Sequence, residues 1–256
     1  MATASAQADE LTVGGSKVRG MPQAPDARTL KLGAIAGGTG VVLQIVLGHL
    51  HPHHEQPNDS AAAFAEYAHA HAWTVVHIGQ FFGTLLIASA MLVLCRSLAG
   101  QPGAPGALAR VASVAIIVVV SVFAVQMAVD GVALEHAVDT WAGATGGAKT
   151  SAFQVADGLR SLEKGLSAFF NMMNGTAVLA LGLSLLSGHV HRRWPGWIGI
   201  LASLGFLSGG VATATGGFSA RAGTLLQPSL LLLAAFLAGT YASTWRLGDE
   251  PPARRA

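Results

Sequence analysis

Apolar residues in this chain gather into six blocks of about 20, set apart by short polar or glycine- and proline-rich stretches. At 1.5 Å per helical residue, about 20 residues cover the roughly 30 Å of hydrocarbon in a bilayer. Inside hydrocarbon, each segment must pair its own backbone N–H and C=O groups, which makes every block a helix. The blocks lie at about 30–50, 73–95, 111–129, 165–187, 196–215 and 224–244. The expected fold is therefore all-α: a polytopic transmembrane helical bundle of about six spans, with helical extensions on the outer side. Composition agrees, since 52% of the 256 residues are hydrophobic and 11% are charged. A soluble domain carries about 25% charged residues.

Residues 1–29 and 247–256 are polar and read as disordered cytoplasmic tails flanking a transmembrane domain at 30–246. The first apolar block is full length, so it reads as a retained span rather than the short core of a cleaved signal peptide. Ser60 is a candidate N-cap, and a helix with no internal breaker is expected from there to Leu98, its first turns standing outside the membrane. The third helix is expected to run past Asp130 to Trp141, and the polar stretch Lys149–Lys164 to lead into the fourth.

Sidedness follows from the basic residues. Lys17, Arg19, Arg28, Lys31, Arg96, Arg110, Arg192, Arg193, Arg246, Arg254 and Arg255 lie in the tails and in two loops that share one side. Lys149, Arg160, Lys164 and Arg221 lie on the other. Eleven against four puts both termini in the cytoplasm of a cell membrane, as in the plasma membrane of a bacterium. Trp73, Trp194, Trp197 and Trp245 sit at the expected interfaces. The net charge of +2 reflects this topology and not nucleic-acid binding, because the basic residues form no single patch with aromatics.

Candidate chemistry concentrates on the outer side, which holds eight of the ten histidines. His49, His51, His53 and His54 with Glu55 form a cluster that could take a metal, but the segment reads more simply as a solvated loop. Glu66, His69, Trp73 and His77 share a face if one helix carries them all. His77 lies about one turn inside a span, where an ionisable side chain is costly and so a candidate for function. The third helix ends with Asp130, Glu135, His136 and Asp139, and the fourth begins with Asp157, Arg160, Glu163 and Lys164. A hairpin of these two helices would bring both sets together. The bland reading is a salt-bridged cap. The functional one is a polar mouth with His77, Asp130, Glu135, Arg160 and Glu163 as ligand-binding candidates, and His69, His77 and His136 as metal or haem-iron candidates. Gln44, Gln80, Gln126, Asn171 and Asn174 read as amides that bond between helices. The single cysteine, Cys95, excludes a disulfide within the chain.

Four stretches, Asp130-Gly-Val-Ala-Leu-Glu-His-Ala-Val-Asp-Thr-Trp141, Phe153–Glu163, Trp194-Pro-Gly-Trp-Ile-Gly199 and Gly216-Gly-Phe-Ser219, are similar to recurring stretches of a group of uncharacterised bacterial six-helix integral membrane proteins. The resemblance spans about residues 30–245. It implies the fold but brings no activity or cofactor. In that group a basic residue often stands where this chain has His136, which counts against a metal there.

Three functions fit these features: handling of a small solute or ion through the polar mouth, binding of haem or a divalent metal by outer-side histidines, or a scaffold or sensor role. The lipid bilayer is the partner the sequence demands, and a second copy or another membrane subunit would serve a scaffold. No nucleophile stands at workable spacing from a base, so the chain leans away from being an enzyme.

Overall fold

In the computed structural model, residues 25–52 and 58–250 are described, and among them every regular element is helical. His53, His54 and Glu55 lie outside the described residues. Helix α1 spans Ala27–Leu50, α2 Ser60–Tyr67, α3 Trp73–Ala99 and α4 Ala104–Ala128. A π-helical turn, Val129–Leu134, joins α4 without a break to α5, Glu135–Gly143. Helices α6, α7 and α8 span Gly146–Ser187, Trp194–Gly216 and Ala220–Asp249.

Local chemistry sets these limits. The Asp26 carboxylate accepts from Thr29 N–H at 2.7 Å and caps α1. Pro52 bars the helical conformation at His51, which is extended (φ −74°, ψ 133°), and α1 stops at Leu50. Asp59, not Ser60, caps α2, accepting from the Ala61 and Ala62 N–H groups at 3.0 and 3.1 Å. The Ser60 hydroxyl instead donates to Asp157 Oδ1 at 2.5 Å. Pro105 and Pro195 occupy the first turns of α4 and α7, where a missing N–H costs nothing.

One expectation is corrected. The chain from Ser60 to Leu98 is not one helix, because α2 and α3 are separated by a turn at residues 68–72. No glycine or proline causes the break. The aromatic rings of Phe64 and Tyr67 pack against Trp141, Phe153 and Trp73, and holding α2 across the bundle end requires the chain to turn.

Among the described residues, six helical stretches are long and apolar enough to cross a membrane, and this is a multi-pass membrane protein. Large apolar side chains such as Ile35, Val42, Val114, Ile117, Leu201, Leu204 and Leu231 face outward, a surface suited to lipid and not to water. The stretches Ala104–Gly143 and Gly146–Ser187 have 40 and 42 residues. At about 60 Å each they are twice the hydrocarbon thickness, so they stand well clear of the bilayer at the end where they join. There α2 lies on them, over a second small core of Ala63, Phe64, Tyr67, Trp73, Leu134, Val138 and Ala156.

The spanning helices form a ring. Each packs on its neighbours in sequence, and α8 closes against α1, while α3 barely touches α6 or α8 across the middle. At the end carrying the α3–α4 and α6–α7 turns the ring is filled by Leu94, Leu98, Ala109, Ala112, Leu181 and Leu185. Here α6 and α7 meet backbone to backbone: a Cβ on Gly182 or Gly196 would lie 2.9 or 2.7 Å from the other's carbonyl oxygen. At the α2 end the ring is hollow.

Candidate functional site

The hollow is a cavity of about 700 Å³ lined by all six spanning helices. Its walls are mainly apolar, with Met91, Ile116, Val119, Phe123, Phe170, Phe206 and Leu233. Its ionisable groups lie toward the α2 end, where His51, Tyr67, Asp130, Arg160 and Glu163 line it, and amides and hydroxyls such as Gln44, Thr84, Gln126 and Asn174 are scattered along the wall.

The π-helical turn shapes this end. A π turn inserts an extra residue, changing which side chains face inward and freeing carbonyls from the α-helical ladder. Two of these carbonyls are taken by α3: Trp73 Nε1–H donates to Asp130 O at 2.8 Å, and the Thr74 hydroxyl donates to Gly131 O at 2.7 Å. Thr74 also bonds the Glu135 carboxylate. The helices approach closely because residue 131 has no side chain. A Cβ there would run into His77, whose Cγ would lie 2.8 Å away.

His77 and Asp130 are thereby pressed together out of solvent, at 1% and 5% exposure. His77 Nδ1 faces Trp73 O at 2.8 Å, and Nε2 faces Asp130 Oδ2 at 3.1 Å. Both ring nitrogens thus meet acceptors. Only an imidazolium, or a ring whose Nε2 lone pair shares a cation with the carboxylate, satisfies that arrangement. Among the described residues, Asp130 Oδ1 is buried with no hydrogen-bond partner, and so is Gln126 Oε1 one turn earlier on the same face. Both residues line the cavity.

Arg160 and Glu163 form a buried ion pair, Nη1–H donating to Oε2 at 2.6 Å. The guanidinium lies between the rings of Phe218 and Tyr67, 4.7 and 5.4 Å from their centroids. Burial pushes the Tyr67 phenol well above its usual range, so it stays neutral at physiological pH. Asp130, Arg160 and Glu163 together sum to one negative charge, which a dry site must offset with a proton on His77 or with a cation.

The structure gathers His77, Asp130, Arg160 and Glu163 at one place, and puts Glu135 on its rim through Thr74. His69 sits exposed on the α2–α3 turn, and with α2 and α3 separate it no longer shares a helix face with His77. His136 is exposed, its ring facing Val132 O within its own helix. His51, read in the sequence as part of a solvated loop, turns inward and packs on Trp73 and His77 with ring centroids 5.0 and 5.1 Å apart. Pro52 ends α1 at the mouth of the ring and makes the step at His51 extended, and packing on Trp73 and His77 turns it inward.

The amides divide. Gln44 Nε2 donates across to Gln80 O at 2.6 Å and to Thr84 Oγ1 at 2.8 Å, tying α1 to α3. Asn171 donates to Ser167 O in its own helix at 2.9 Å, while Gln126 and Asn174 line the cavity. Protein-family models, curated proteins and solved structures were compared with this chain, and none matches.

Proposed function

We propose that this protein binds a small amphipathic molecule inside the six-helix ring, with the α2 end on the outer side of a bacterial plasma membrane. The reading extends the resemblance of its stretches to bacterial six-helix membrane proteins. The observation that carries it is a cavity with a charged, acceptor-rich end and a mainly apolar remainder. A volume of about 700 Å³ falls within the roughly 300–1,000 Å³ of small-molecule sites, which are mostly apolar with a few placed polar groups. Asp130 Oδ1 and Gln126 Oε1 are acceptors in want of donors. The ligand therefore has a hydrogen-bond-donating head, an alcohol or amine, and a hydrocarbon body that lies against Phe123, Phe170 and Leu233. The mainly apolar wall argues against a hydrated ion as the principal cargo, since scattered amides and hydroxyls such as Gln44, Thr84 and Asn174 are too few to replace a water shell along its length.

The test is thermal stability of the chelator-treated protein in lipid nanodiscs. Decanol and decylamine should raise Tm, with decanoate and decane much weaker. Gln126→Leu should erase the preference for the donor head. Ala234→Trp, which fills the cavity from α8, should abolish all stabilisation. Equal stabilisation by decane and decanol, or binding undiminished in Ala234→Trp, would overturn the reading.

A further inference from the structure

The geometry points to a divalent transition-metal site at the α2 end of the cavity, built from His51, His77 and Asp130. One ring nitrogen from each histidine and one oxygen of Asp130 lie within 4.8 Å of one another. Two imidazoles and a carboxylate suit zinc, iron(II) or cobalt(II) rather than calcium or magnesium, which prefer oxygen ligands alone.

Four further observations support it. His77 already meets the requirement for a ligating histidine: Nδ1–H donates to the Trp73 carbonyl at 2.8 Å, which orients the ring and leaves Nε2 as the lone-pair nitrogen. That lone pair faces a carboxylate oxygen at 3.1 Å, an arrangement of two acceptors that a shared cation satisfies. His51 Nδ1 likewise faces a carbonyl, that of Pro52 at 2.9 Å, which directs its Nε2 to the ligating role. Finally, Asp130, Arg160 and Glu163 sum to one negative charge in a buried site, which a metal ion between His77 and Asp130 would offset as an imidazolium would.

The distances nearly close. Tetrahedral ligands about 2.0–2.1 Å from zinc stand roughly 3.3 Å apart. The His77–Asp130 separation meets this as it stands. His51 is half-buried at the end of α1, and a small swing of its ring brings in the third donor. His51 and Asp130 also line the cavity, so the fourth position opens into it. Three protein ligands with one open position are the pattern of zinc sites that bind an exchangeable water or ligand. The site does not depend on what fills the apolar part of the cavity.

The test uses the full-length protein, purified in detergent on a histidine-free tag, stripped with EDTA and reloaded with Zn²⁺ or Co²⁺. Elemental analysis after desalting should find one Zn²⁺ per chain, and Co²⁺ should give the visible bands of a four-coordinate ion. Asp130→Asn and His51→Gln should weaken Zn²⁺ binding by at least the ~100-fold that loss of an outer-shell partner alone can cause. His69→Ala, His136→Ala and the double variant His53→Ala/His54→Ala should bind as the parent does. His51→Gln, at a half-buried helix end, keeps the test usable if Asp130→Asn does not fold. Metal absent from the parent after desalting would overturn the site. So would unchanged binding in His51→Gln, or binding lost in the His53/His54 variant but kept in Asp130→Asn. Decanol stabilisation is read on the metal-free protein, so the failure of either proposal leaves the other standing.

Discussion

The two ends of the bundle each bury a histidine, and they do so in opposite ways. At the end opposite α2, His191 is held between two hydroxyls. Ser97 donates to Leu94 O at 2.7 Å, so its oxygen accepts from His191 Nε2–H at 2.7 Å, and Ser243 donates to Nδ1 at 3.1 Å. Each donor has an acceptor, the neutral ring is complete, and burial pushes its pKa down to about 4. At the α2 end, His77 faces two acceptors, next to an orphaned carboxylate oxygen and a buried ion pair. Burial of a histidine is therefore no sign of a site by itself. The balance of donors and acceptors around it separates packing from an unfilled chemical demand. Backbone geometry follows the same division, with close-packed helices at the His191 end and a π turn and cavity at the other.

The largest effect that would sharpen this contrast is loss of Arg160. Arg160→Met leaves Glu163 buried without its cation and should cost about 3–5 kcal/mol, read by unfolding in detergent. Replacing both, Arg160→Met with Glu163→Leu, should recover most of that. If the single change costs under about 1 kcal/mol, water reaches the pair and the α2 end is wet.

At the His191 end the signature is pH. The folded ring is neutral down to about pH 4, whereas the unfolded one protonates near 6.5. Its contribution is thus fully present above pH 6.5 and is lost as pH falls toward 4, by on the order of 3 kcal/mol. In His191→Asn the loss between pH 6.5 and 4 should shrink by that amount. An unchanged profile would show that His191 is hydrated and that the contrast fails.

Gly131→Ala tests the π turn. The added methyl meets His77, and separating α3 from the turn should cost about 1–3 kcal/mol and loosen Zn²⁺ binding together with it. Ala substitution at Gly48, where a Cβ meets nothing within 4 Å, should leave both unchanged. The smallest effect concerns Thr74→Val, which frees the Gly131 carbonyl and Glu135, at about 1 kcal/mol in thermal unfolding. Sidedness is a separate measurement. In a Cys95→Ser background, a cysteine at exposed Ser161 should label from outside the cell and one at exposed Ser187 only after permeabilisation.

Much of the site was legible residue by residue but not as an assembly. His77 stood out because a titratable group inside an apolar block is expensive. Asp130, Arg160 and Glu163 stood out because a hairpin of two long helices must bring them near one another. His51 was hidden among neighbouring histidines, since no periodicity tells an inward step at a helix end from a solvated loop. The separation of α2 from α3 was equally hidden. The residues at 68–72 break nothing by themselves, and the turn exists because Phe64 is drawn onto rings from α5 and α6 and Tyr67 onto Trp73 of α3.

The sequence alone determined that the chain is a membrane bundle of six helices. That constraint acts along the backbone: each apolar block must pair its own polar groups in hydrocarbon, and block length is written in the residues. Only the tertiary structure decided that the helices close into a ring, that the ring is hollow at one end, and that a π turn aims Asp130 at His77. Those outcomes depend on which side chains meet across the bundle, and closeness in space between distant positions is not encoded in any local stretch.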